Sequence, residues 1–138
     1  MSSQVKCVFD FDKKYRTLQR IFNIVVRGLA SQGWRRSQGY HGCAYRGEGG
    51  MACGVGHLLS NKVAKKADDG IVDSSGYAIR SLPGLIRNGL LAASPKTAEF
   101  LRRIQSIHDM KVEGDSMRDG FNSLAKEYGL KWPEDVAS

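Results

Sequence analysis

Three cysteines in 138 residues are too few, and odd in number, for a disulfide framework, which points to a reducing compartment. No apolar run approaches the ~18 residues needed to cross a bilayer. Met1 to Lys6 carries neither the basic flank nor the apolar stretch of a secretory signal. A cytoplasmic protein that keeps off the membrane is therefore expected. The familiar catalytic signatures are also missing: there is no Gly-x-Ser-x-Gly, no Walker loop, no His-Glu-x-x-His, and no pair of spaced His-x-Thr/Ser motifs. An enzyme is accordingly the minority reading.

Acidic residues are scarce in the first half of the chain. Residues 1–66 hold 12 basic and 3 acidic side chains, whereas residues 67–138 hold 9 and 11, within a formal charge of +7. A one-ended positive field concentrates anions and speeds their capture, so a nucleotide, a nucleic acid or an acidic protein surface all qualify as partners. A 41% hydrophobic and 25% charged composition is that of a folded domain, and the length suits a single domain spanning 1–138.

Val5, Cys7, Phe9 and Phe11 alternate with mostly polar neighbours, which predicts an N-terminal strand. Asp12 offers a cap for a helix with Leu18, Ile21, Phe22, Val25 and Leu29 on one stripe, stopped at Gly33. Its other face shows Lys13, Arg16, Arg20 and Arg27. Tyr40, Cys43 and Tyr45, then Met51, Cys53 and Val55, flank a glycine cluster and predict an antiparallel hairpin. A short helix runs from His57 to Lys66, and a weak one spans Leu82 to Leu90. Ser94-Pro95 starts a longer helix reaching His108. The last begins near Asp115 and ends at Gly129. The expected architecture is α+β: an N-terminal strand plus hairpin as a small antiparallel element, packed on four to five helices.

The segment His41 to His57 is the densest in chemistry. Its Cys-x-Tyr-Arg (Cys43, Tyr45, Arg46), glycine turn and Cys-Gly-Val-Gly (Cys53 to Gly56) resemble a family of small proteins encoded by bacteriophages and prophages. Leu101, Ile104, Ile107, His108 and Asp109, and a closing Tyr128-Gly129-Leu130, extend the resemblance. Leu59 departs from the family pattern, where isoleucine followed by Pro-Asp is common. The resemblance implies a phage protein acting inside a bacterium, without a defined activity.

Two chemical readings of this segment stand side by side. Arg46 beside Gly47, Gly49 and Gly50 forms a candidate phosphate grip, because a guanidinium donates two parallel hydrogen bonds and glycines let backbone N–H groups approach. Tyr40 and Tyr45 would stack on a base, and Arg16, Arg20 and Arg27 would supply further positive charge. Alternatively, Arg46 locks the hairpin to the helices, for instance through Asp109. His41, Cys43, Cys53 and His57 supply four candidate zinc ligands, at a spacing unlike common zinc sites; otherwise the two thiols are small buried apolar groups. As nucleophiles, Cys43 and Cys53 have only His41 and His57 as sequence-local bases.

The functional expectation is a phage-type, non-enzymatic binding protein. It would inhibit or modulate a host process, foremost antiviral defence, by taking a signal nucleotide or docking on an acidic host protein, with a homo-oligomer admissible. The alternatives are a nucleic-acid-binding module, with Arg16, Arg20, Arg27, Arg35 and Arg36 on phosphates, and a small cysteine- or metal-dependent enzyme.

Overall fold

The computed structural model describes residues 8–36, 38–39, 42–43, 45–47, 51–69, 81–109 and 113–137, the side chains of 38–39, 42–43 and 109 excepted. In chain order the elements are β1 (Phe9–Asp10), α1 (Phe11–Lys14), α2 (Leu18–Ser31), β2 (Gln38–Gly39) and β3 (Gly42–Cys43). A 3-10 turn (Val55–His57) and α3 (Asn61–Asp68) follow. Then come α4 (Leu82–Arg87), β4 (Leu91–Ala92), α5 (Pro95–Asp109) and α6 (Asp115–Tyr128).

Among the described residues six α-helices dominate, which overturns the expected α+β architecture. Val5 and Cys7 of the expected N-terminal strand lie outside the described residues, and its described part joins no antiparallel element among them. Instead β1 runs parallel to β4, Phe9 opposite Leu91, and the Phe9 N–H donates to Leu90 O at 3.0 Å. β2 and β3 are antiparallel over only two residues each. Of the hairpin expected between Tyr40 and Val55, the described residues across the glycine cluster show a single antiparallel bridge, Arg46 to Ala52. The cause lies in burial. A half-buried strand needs one wet face, yet Ala52, Cys53, Gly54, Val55 and Gly56 are all buried. Gly54 lies between α2 and α5, where an added Cβ would stand 3.5 Å from Val25 and 2.8 Å from Ile104. The chain therefore turns as a 3-10 helix wedged between two α-helices.

Helix starts follow local capping chemistry. Asp10, not Asp12, caps α1 through Lys13 N, and Thr17 caps α2 through Arg20 N at 3.2 Å. Ser60 caps α3, so the helix expected from His57 is split into a 3-10 turn and a separate α-helix. Ser94-Pro95 opens α5, and Gly129 at φ +67 closes α6 by its left-handed cap, both as the sequence reads.

The core gathers on the apolar stripe of α2: Ile21, Phe22, Val25, Val26 and Leu29 are all buried. α5 packs on α6 through Phe100, Leu101, Ile104, Met117, Phe121 and Leu124. At one end Phe22, Trp34, Phe121 and Trp132 form an aromatic cluster with centroids 5.8 to 6.4 Å apart. That cluster carries the C-terminal segment back onto α2, where Gln19 bonds Lys131 through both its amide oxygen and nitrogen.

Candidate anion-binding face

Arg46 is half-buried beside the 3-10 turn, and its guanidinium is held by oxygens of the protein itself. Nη1 donates to the carbonyls of Gly56 and Tyr45, Nη2 to Leu59 O at 3.0 Å, and both Nη2 and Nε to Asn61 Oδ1. The backbone N–H groups of Tyr45 and Arg46 are taken by the two oxygens of Asp68, at 2.9 and 2.8 Å. Gly56 has no room for a Cβ, which would strike Tyr45 O. Thus Arg46 ties the β-bridge to the end of the 3-10 turn and the start of α3. Among the described residues its partners are carbonyls and an amide, while the side chain of Asp109, the partner that the sequence suggests, lies outside them.

A buried polar cluster continues behind this corner. His57 Nε2 stands 3.2 Å from Gln32 Oε1, and the Gln32 amide also clasps Ala52 through Ala52 N and O. The His57 ring rests so close to Gly28 that a Cβ there would come within 2.5 Å. Burial first, then the neighbouring Arg46 and His108, push His57 down from 6.5 to about 4, so it is neutral at pH 7. His108 is fully buried. The Cys53 thiol is 1% exposed; Sγ accepts from Gly56 N at 3.2 Å and lies 3.6 Å from Gln105 Oε1.

Of the zinc candidates, Cys53 and His57 are thus occupied by protein partners, while His41 and the Cys43 side chain fall outside the described residues. Among the described residues no group of three His, Cys, Asp or Glu is placed to hold a metal ion. Tyr40, Gly49 and Gly50 also lie outside them. Gly47 is described, and its N–H donates to Met51 O at 2.7 Å across the bridge. Tyr45 is 5% exposed, so its ring belongs to the core and not to a stacking surface.

The arginines of the first half fare differently. Arg16, Arg20 and Arg27 are all exposed. Arg20 and Arg27 lie seven residues apart on α2, about 20° on the helical wheel and ~10 Å along the axis. Arg16 precedes the Thr17 cap at φ +63, in the left-handed region that an arginine rarely occupies. Arg27 meets Asp135 at 3.0 Å, with both side chains more than half exposed. Arg16 and Arg20 have no carboxylate partner among the described residues, whereas Arg102, Arg103 and Arg118 each face one within 2.9 Å.

The row and Arg46 do not share a face. Gly28, which carries His57 and beyond it Arg46, sits ~80–100° round α2 from Arg20 and Arg27. The cation that joins the row is one the sequence reading did not single out. Lys96, in the first turn of α5, shares with Arg16 a groove of about 570 Å³ between the starts of α2 and α5. The Ser94-Pro95 helix start was its available signal; the packing of that start beside Thr17 was not legible. Among the described residues no helix is long and apolar enough to cross a membrane. Comparison of the chain with protein-family models, curated proteins and solved structures returns no match.

Proposed function

We propose that this chain is a small, non-enzymatic binding protein of phage type that modulates a host process, foremost antiviral defence, in the bacterial cytoplasm. It receives an anionic partner on the exposed face of α2. The observation that carries this reading is that the exposed Arg20 and Arg27 share one stripe of α2, while the exposed Arg16 and Lys96 line the groove at its start. Exposed cations attract anions over about a Debye length, and those without a carboxylate partner have none to displace. The Arg27–Asp135 pair is exposed, so opening it costs at most ~1 kcal/mol. The resemblance to phage-borne proteins supports the cellular setting.

The test separates a local receptor from mere net charge. Replacing Arg16, Arg20 and Arg27 together by Glu is compared with replacing Lys62, Lys65 and Lys66 by Glu, which alters net charge equally. Retention on immobilised poly-L-glutamate, followed against salt, should fall far more for the arginine variant, with unchanged circular dichroism. Equal loss in both variants would leave no receptor on α2. Stronger retention on duplex DNA than on polyglutamate, with the same arginine dependence, would move the chain to the nucleic-acid class.

A further inference from the structure

Resting on that reading, we infer that the groove between the start of α2 and the start of α5 binds an organic phosphomonoester. The groove, about 570 Å³, is within the range of small-molecule sites. Its rim carries a cation on each wall, Arg16 from the α2 side and Lys96 from the α5 side. Neither has a carboxylate partner among the described residues. Thr17 and Thr97 add hydroxyls between them. Donors that approach from two walls suit a tetrahedral group with three terminal oxygens better than a planar carboxylate, which a single fork satisfies. The rest of the lining is largely apolar, with the buried Phe11 and Ile21 beside Leu18 and Leu130, and this calls for an organic group on the phosphate.

Asp12 is the only carboxylate in the lining among the described residues, and both of its oxygens are engaged. Oδ2 accepts from the Ser94 N–H and Oδ1 from the Ser94 hydroxyl at 3.2 Å. It thereby holds the start of α5 against α1 and leaves the lining one positive charge in excess. Its position makes a sharp test, because Asp12→Asn keeps an acceptor for Ser94 while removing a charge that repels the ligand.

The experiment is calorimetric titration of the full chain with adenosine 5′-monophosphate, adenosine and inorganic phosphate. The monophosphate should bind, inorganic phosphate more weakly, and adenosine not detectably. Arg16→Gly and Lys96→Ala should each weaken the monophosphate about tenfold or more. Asp12→Asn should tighten it. Arg16→Gly should keep or raise the melting temperature, since glycine takes φ +63 without strain, so its loss of binding cannot be unfolding. The inference is overturned if the monophosphate does not bind, if adenosine or inorganic phosphate binds equally well, or if both variants match the parent. Should these arms fail while the triple arginine variant still loses polyglutamate, only the groove assignment falls. Monophosphate binding with polyglutamate retention indifferent to the row would instead remove the broader face and keep the groove.

Discussion

Arg46 shows how one side chain can look like a ligand grip and serve as a bracket. Its guanidinium satisfies part-buried carbonyls of Tyr45, Gly56 and Leu59. Removing it leaves several acceptors unsatisfied, each costing ~1–3 kcal/mol when buried. Arg46→Ala should therefore lower the urea unfolding free energy by about 2–4 kcal/mol, with or without an anion present, while polyglutamate retention by the folded fraction is kept. Unchanged stability together with lost retention would return Arg46 to the binding site. His57 supplies the pH dependence. Its proton affinity falls on folding, from 6.5 to about 4, so the unfolded chain binds more protons between those values. Its contribution is complete above pH 6.5 and is lost as pH drops toward 4. The urea unfolding free energy should fall across that window, by about 2 kcal/mol once partial exposure is allowed for. His57→Asn should flatten that slope, and an equally steep slope in the variant would assign the acid sensitivity elsewhere.

Helix ends were the legible elements, because capping is local. Ser94-Pro95, Gly33 and Gly129 act where they stand in the sequence, with positive φ at both glycines. The first helix was read with its start displaced: Asp12 is a competent cap by type, but Asp10 and Thr17 hold the two caps, and Asp12 is drawn instead to Ser94 eighty-two residues away. The alternation of Met51, Cys53 and Val55 has the period of a strand. It forms none because α2 and α5 close on both sides of residues 52–56, a tertiary constraint that overrides local propensity. Gly56 marks that constraint. With Tyr45 O directly in the path of its Cβ, Gly56→Ala should cost at least about 2 kcal/mol and separate the 3-10 turn from the bridge. Gly129→Ala, with open space around it, should cost only its left-handed strain, ~1 kcal/mol. Thermal melts of the two variants decide the order, and equal melting temperatures would contradict the packing described.

For the molecule as a whole, the charge imbalance leaves some cations paired and others not. Arg102, Arg103 and Arg118 sit in ion pairs along α5 and α6, and Arg27 in an exposed one with Asp135. Arg16 and Arg20, at the start of α2, face solvent with no carboxylate partner among the described residues. Composition made the asymmetry visible, but not that Arg46 would leave the set and Lys96 join it, since both depend on which helix ends meet in space. The most direct test of the α2 face as the receptor is an amide-resolved NMR titration of the full chain with adenosine 5′-monophosphate. The account predicts shift changes centred on Arg16 to Arg20 and on Ser94 to Thr97, with Arg46, Gly47 and the 3-10 turn unmoved. Changes centred on Arg46 and residues 55–59, with the start of α2 silent, would contradict it.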